Sequence, residues 1–238
     1  MYMQKSKIEW TDYTINPVKG LCPMACSYCY ARAMYKRFKW NPAITFNIDV
    51  FQRLMKVKEP SKVFVGSTME LFGDWVKQEW MIDIFSMCNA FKQHTFIFLT
   101  KQPQNLTKWS PFPDNCWVGV SVTSAQDAII RVPKLKDIIS PIKFISFEPL
   151  LKPIALPNQL YIMLKLSGIN WAIIGQQTPS NTKTRPTVEW IREIIEACDI
   201  ASIPMFLKNN LKSTEYPFIV DCMKNNDGSL RQELPEVQ

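Results

Sequence analysis

Cys22-Pro23-Met24-Ala25-Cys26-Ser27-Tyr28-Cys29-Tyr30 puts three thiols in one short loop, at spacing C-x3-C-x2-C, with an aromatic residue before the third. A single loop has no room to bury three thiols separately. Three thiols also cannot pair into disulfides without a remainder. The spacing therefore implies that all three face one object, a metal centre. Structural zinc asks for four ligands, commonly from two separated pairs. This chain has no second Cys pair. Its only histidine, His94, begins a distant apolar run, and Cys88, Cys116, Cys198 and Cys222 each stand alone. A cubane cluster is held by thiolates and can be left one protein ligand short, with an iron open to another molecule. The donor set favours a 4Fe–4S cluster on Cys22, Cys26 and Cys29, with zinc, or a structural or redox thiol cluster, as the alternatives.

The chain has 238 residues, a length that α/β barrels reach as one domain, so a single domain over residues 1–238 is expected. Hydrophobic residues make up 47%, enough for a sizeable core. No run of about 18 apolar residues is present, which excludes a membrane-spanning helix. Met1–Trp10 is charged and lacks the apolar heart of a signal peptide, so a cytoplasmic protein is expected. Seven cysteines with no even framework agree with a reducing compartment. The formal net charge is +7, and Arg32, Lys36, Arg37 and Lys39 follow directly on the Cys loop. Such a basic balance suits a polyanion, nucleic acid among them.

Residues 1–16 read as extended or irregular, and Asn16-Pro17-Val18-Lys19-Gly20 as a turn. After the loop, Tyr30 to Phe38 has helical spacing, and a short helix is expected from about Asp49 to Val57. A rhythm then begins. Short apolar runs at 62–66, 94–100, 116–121, 143–147, 170–175 and 203–207 alternate with helical stretches at 75–91, 124–131 and 188–198. This alternation predicts parallel strands joined by crossover helices, buried on both faces. Only about Leu150 to Ser167 is weakly patterned.

In such a barrel the site forms where strands end. The residues just past each run are Ser67, Thr68 and Glu70; Thr100, Lys101 and Gln102; Ser121 and Thr123; Glu148; Gln176 and Gln177; Lys208 and Asn209. Together they outline a polar mouth. Glu148 follows a buried aromatic run, so a partner cation is expected, with Lys101, Lys208 and Arg185 available. Glu148, Lys101 and Lys208 are the candidate catalytic residues, against a purely structural ion pair. Gln176 and Gln177 offer amides to a substrate ring edge or a cofactor. His94 reads as structural, and the four isolated cysteines as small core residues.

C-x3-C-x-aromatic-C resembles the signature loop of radical S-adenosylmethionine enzymes. The resemblance implies that the open iron binds the amino and carboxylate groups of S-adenosylmethionine. The cofactor is then split to a 5′-deoxyadenosyl radical, with electrons from an external flavodoxin or ferredoxin. It implies Tyr28 beside the cluster or adenine. Gly66-Ser67-Thr68-Met69-Glu70 stands where the family carries a Gly-Gly-Glu-like segment for the methionyl ammonium, although the second Gly is absent. The cofactor-binding set is thus Tyr28, Gly66, Ser67, Thr68, Glu70, Ser121 and Gln176.

A closer similarity is to a phage-associated subfamily with a three-cysteine loop. It rests on Trp10-Thr11-Asp12, Asn16-Pro17, Tyr30-Ala31, Leu99-Thr100-Lys101, Val118 to Ser121, Phe147 to Leu150, Arg185-Pro186 and Pro204 to Lys208. It implies a partial (β/α)6 TIM-like barrel and names no substrate. One departure is Gly175-Gln176-Gln177-Thr178, where family members tend to carry Gly-Gly-Glu-Ser. The phage context and basic surface point to a nucleic acid or nucleotide substrate. The rival reading is a non-catalytic, metal-stabilised nucleic-acid-binding module.

Overall fold

The computed structural model describes residues 3–156, 158–179, 182–211 and 221–236. The chain divides into two compact units, Met1–Val118 and Gly119–Gln238.

The first unit holds β1 (Tyr13–Ile15), β2 (Val18–Lys19), α1 (Tyr30–Phe38), β3 (Thr45–Phe46), β4 (Lys62–Val65), α2 (Gln78–Ala90), β5 (Thr95–Thr100) and the start of β6 (Cys116–Ser121). β1 lies parallel on β4, with Tyr13 opposite Val63 and Ile15 opposite Val65. β4 lies parallel on β5, with Lys62 opposite Thr95 and Phe64 opposite Ile97. Val63, Phe64, Val65, Phe96, Ile97 and Phe98 are all buried, so both faces of these strands are covered. Helix α2 buries Met81, Ile84 and Cys88. Rings of Phe72, Phe85, Phe98 and Phe112 meet at centroid separations between 5.4 and 6.2 Å. His94 is buried here in a ring contact with Phe91, as its structural reading expects.

β2 and β3 pair antiparallel, Val18 opposite Phe46 and Lys19 opposite Thr45. This two-residue ladder closes the base of an excursion that carries the Cys loop and α1. Leu21 N–H donates to the Pro42 carbonyl (2.9 Å) and Asn47 N–H to that of Pro17 (2.8 Å). Gly20 has φ of +130°, and a Cβ there would lie 2.7 Å from the Ala43 carbonyl oxygen. Only glycine allows both that conformation and that approach.

The second unit holds α3 (Ala125–Arg131), β7 (Lys143–Phe147), α4 (Leu160–Leu166), β8 (Trp171–Ile174), α5 (Val188–Ala201) and β9 (Met205–Leu207). β7 pairs parallel with β8, and β8 with β9. The C-terminal segment returns along β9. Leu207 N–H donates to the Arg231 carbonyl and Glu233 N–H to that of Met205, both at 2.8 Å. That covers a sheet edge otherwise open to pairing.

The seven-stranded order is β1-β4-β5-β6-β7-β8-β9, and the division between units falls inside β6. All six apolar runs are strands. The seventh, β1, lies in the segment read as extended or irregular. The helix expected from about Asp49 to Val57 is a 3-10 segment, Ile48–Lys56. Ile48, Val50 and Phe51 all disfavour the α form. The weakly patterned stretch holds α4, and its Pro157 lies outside the described residues. Among the described residues no helix is long and apolar enough to cross a membrane.

Trp171 is fully buried, packs against Phe144 (5.5 Å) and Phe206 (6.4 Å), and donates its indole N–H to the Glu233 carbonyl (2.9 Å). Trp171→Ala should lower the unfolding free energy by about 3–5 kcal/mol in urea titrations. Trp171→Phe, which loses mainly the hydrogen bond and part of the ring, should cost about 1–2 kcal/mol.

Candidate functional site

Two tight turns shape the Cys loop. Ala25 N–H donates to the Cys22 carbonyl (3.3 Å) and Cys29 N–H to that of Cys26 (3.1 Å). Ala25 takes the left-handed conformation between them, φ 49°. Cys29 is the N-cap of α1, and the first turn of that helix has no acidic residue. The Cys loop therefore runs into the positive end of the α1 dipole with no acidic side chain in that first turn. Two side chains from outside fix the loop. Arg32 Nη2 donates to the Cys22 carbonyl (2.7 Å), and Gln102 Nε2 to Met24 Sδ (2.9 Å).

Cys22, Cys26 and Cys29 are reduced and half-buried, and all three line one small concavity with Met24, Arg32 and Thr68. Burial pushes the Cys22 thiol up, with the charges of Glu70 and Cys26 adding to it. The Glu70 and Met24 backbone amides pull the other way. Among the described residues no three His, Cys, Asp or Glu side chains gather closely enough to hold one metal ion. A cubane spreads its thiolates over separate irons, so a shared concavity lined by three half-buried thiols fits such a cluster.

The end of β4 stands beside this loop. Gly66 N–H donates to the Ile15 carbonyl (2.9 Å). Ser67 Oγ, Thr68 N–H and Thr68 Oγ1 all donate to Asn16 Oδ1 at 3.2 Å. Tyr30 Oη donates to the Ser67 carbonyl (2.8 Å). Glu70 is buried, and both its oxygens have donors. Oε1 accepts from Thr100 Oγ1 (2.7 Å) and Phe72 N–H (3.1 Å), and Oε2 from Lys101 N–H (2.7 Å). Glu70 thus ties the ends of β4 and β5 together. Lys101 Nζ lies 6.0 Å from the centre of the Tyr28 ring.

The second unit gathers the other expected residues at the ends of its own strands. Glu148 pairs with Lys208, the first of these following β7 and the second β9. Gly175, just past β8, leaves room for the pair, since a Cβ there would meet Lys208 Cδ at 2.9 Å and Glu148 Cδ at 3.3 Å. Gln176 is buried. Its N–H donates to Asn210 Oδ1 (3.3 Å), its carbonyl accepts from Asn210 Nδ2 (2.9 Å), and its side-chain amide bonds the Asn210 carbonyl. Ser121 is buried, and its carbonyl accepts from Arg131 Nη1 (2.7 Å). Arg131 also pairs with Asp127 (2.8 Å), which accepts from Thr123.

Sequence reasoning missed Asn210; it took Arg32 only as one of the cations after the Cys loop, Gln102 only as a strand-end polar group, and Asn16 only as part of a turn and of the resemblance. The signal for Arg32 was its place on the first turn of the helix that Cys29 begins, one turn past the last thiol.

The family model described as Protein of unknown function (DUF5131) matches residues 5–230, and the chain belongs to that family. No curated protein matches it in sequence. Among solved structures it is similar to spore photoproduct lyase. A mutant with bound AdoMet and dinucleoside spore photoproduct gives a TM-score of 0.57 at 16% identity, over 82% of this chain and 63% of that one. The lyase complexed with dinucleoside spore photoproduct gives 0.54 at 16% identity, over 82% and 63%. This chain therefore spans about 63% of the length of those lyase chains. The likeness shows the fold, the partial (β/α) barrel of parallel strands.

Thiol accessibility separates the loop cysteines from the core ones. Burial pushes Cys198 up to about 12, and pushes Cys88 well up with Cys116 adding to it. Alkylation of the native, metal-free protein should label Cys22, Cys26, Cys29 and Cys222, with Cys22 slowest. Cys88, Cys116 and Cys198 should label only on denaturation, as read by peptide mass spectrometry.

Proposed function

We propose that this DUF5131 family member is a radical S-adenosylmethionine enzyme acting on a nucleic acid or nucleotide, with Cys22, Cys26 and Cys29 holding a 4Fe–4S cluster. The observation that carries the proposal is the sharing of one concavity by three half-buried thiols of the C-x3-C-x2-C loop, beside the end of β4. The barrel likeness to a lyase solved with AdoMet and a dinucleoside lends support. When bound, the cluster and S-adenosylmethionine supply an electron and a sulfonium whose cleavage yields a hydrogen-abstracting radical.

The chain's own residues bind and orient. Arg32 and Gln102 hold the loop in shape through Cys22 and Met24. Ser67 and Thr68, braced by Asn16, present hydroxyl and backbone groups to the methionyl ammonium, and Glu70 fixes the loop on which they stand. Tyr28 flanks the cluster or adenine, with Lys101 against its ring. Within the second unit, Asn210 holds Gln176 in place. Glu148 and Lys208, paired within the second unit, are its candidate catalytic groups, and Lys101 is the candidate of the first. An external flavodoxin- or ferredoxin-type donor supplies electrons, as suits a reducing cytoplasm and a phage-associated enzyme. Zinc is the weaker reading, because no single-ion ligand set is assembled among the described residues.

Anaerobic reconstitution with iron and sulfide should give a brown protein with about four iron and four sulfide per chain. With dithionite and S-adenosylmethionine it should release 5′-deoxyadenosine. Cys26→Ala should lose both colour and product. A colourless protein carrying stoichiometric zinc, or undiminished product from Cys26→Ala, would falsify the proposal.

A further inference from the structure

Residues Tyr13 to Ile48 contain five Lys or Arg and no Asp or Glu, against a whole-chain formal charge of +7. The densest part is Lys36-Arg37-Phe38-Lys39-Trp40, all five residues exposed. Two large aromatic rings stand in solvent among these cations, Phe38 51% and Trp40 43% exposed. They are not loose. Lys39 takes the left-handed conformation that ends α1, φ 51°, and Trp40 N–H donates to the Tyr35 carbonyl (3.2 Å). The turn brings the Phe38 and Trp40 rings into a stack, centroids 5.5 Å apart and planes 24° from parallel. Tyr35 meets Trp40 edge-on at 5.3 Å, and its hydroxyl is fixed by Gly20 N–H (2.7 Å). The Arg37 guanidinium lies 5.3 Å from the centre of the Phe38 ring.

We infer that the C-terminal end of α1 is a binding platform for single-stranded nucleic acid. Braced aromatic faces stack unpaired bases, and the surrounding cations follow phosphates, the combination that non-sequence-specific single-strand binders use. A duplex hides its base faces and would use only the cations. An anionic membrane would ask for a broad apolar face, and α1 offers an aromatic pair at one end with cations on either side. The platform stands about 13 Å along the helix axis from Cys29, at about 1.5 Å per residue. Arg32, on the same helix, holds the Cys loop. A strand lying on the platform is therefore led along α1 toward that loop. This deepens the enzyme reading and rests on it for the purpose of the platform, while binding itself needs no cluster.

The test is fluorescence anisotropy of labelled oligothymidylate with metal-free protein, run beside a duplex of equal length and phosphatidylserine vesicles. The wild-type protein should bind the single strand most tightly. Phe38→Ala/Trp40→Ala, its fold checked by circular dichroism, should weaken binding about tenfold or more at an unchanged salt slope. Lys36→Gln/Lys39→Asn should reduce the salt slope by about 1.4, for two phosphates at roughly 0.7 each. Three results overturn the inference: no preference for the single strand over duplex, binding to vesicles in place of the oligonucleotide, or a folded Phe38→Ala/Trp40→Ala protein that binds as wild type does. Cys26→Ala separates the two proposals. It should keep oligonucleotide affinity while losing the cluster, so either proposal can fail without the other.

Discussion

A buried carboxyl group must find hydrogen-bond donors or cost several kcal/mol, and Glu70 finds three on three different residues. Its own place is just past β4. Two of its donors, the Thr100 hydroxyl and the Lys101 amide, mark the end of β5. One residue thus links two strand ends, and their spacing cannot change without leaving a buried donor or acceptor unmet. The Thr100 hydroxyl gives its hydrogen to Glu70 and accepts from Gln102 N–H (2.8 Å), and Gln102 in turn reaches Met24 inside the Cys loop. The chain of bonds from barrel strand to Cys loop is continuous. That continuity is how a rigid sheet can hold an otherwise irregular loop.

The strands were legible because burial on both faces demands apolar residues at both parities, and few other elements do so in four to six residues. Helix α1 was legible from Ala31, Ala33, Met34 and Phe38 spaced among Arg and Lys, although only Ala31 is buried. Two elements escaped. β1 has three residues, of which only Ile15 is buried, and pairs on one side, so its sequence carries almost no imprint of the sheet. α4 buries Leu160 and Leu164 but also exposes Ile162 and Leu166, which blurs the helical period that would have revealed it. The thiols could be read because their chemistry is rare and their spacing local. The partners of Asn16, Gln102 and Asn210 could not, because an amide's role is set by which distant segment it meets. Arg32 looked like any surface cation until the loop carbonyl beneath it was seen. Glu148 called for a cation and left three to choose from, and Lys208 is the one beside it.

The loop after β8, Gly175-Gln176-Gln177-Thr178, sets a buried glutamine beside a glycine, and each has its physical reason. The Gln176 amide and backbone are all engaged by Asn210. A buried glutamine is tolerable only with that many partners. The missing Cβ of Gly175 is what lets the Lys208 and Glu148 side chains pass so close to the backbone.

The acid-free stretch around the Cys loop bears on two separate kinds of anion. Anions near a helix N-terminus are helped by its partial charges, here at the end of α1 beside the Cys loop, and that influence fades within the same turn. Phosphates in a flexible strand are met by full charges at the surface, at the opposite end of the same helix, where Lys36, Arg37 and Lys39 also suit the negative end of its dipole. Nine helical residues thus keep two tasks apart along one axis. A single acidic residue in the first turn would cancel part of the positive potential beside the Cys loop. One in the last turn would oppose both the dipole and a polyanion, without touching the thiols. The absence of Asp and Glu from all of α1 is what both ends require, each for its own physical reason.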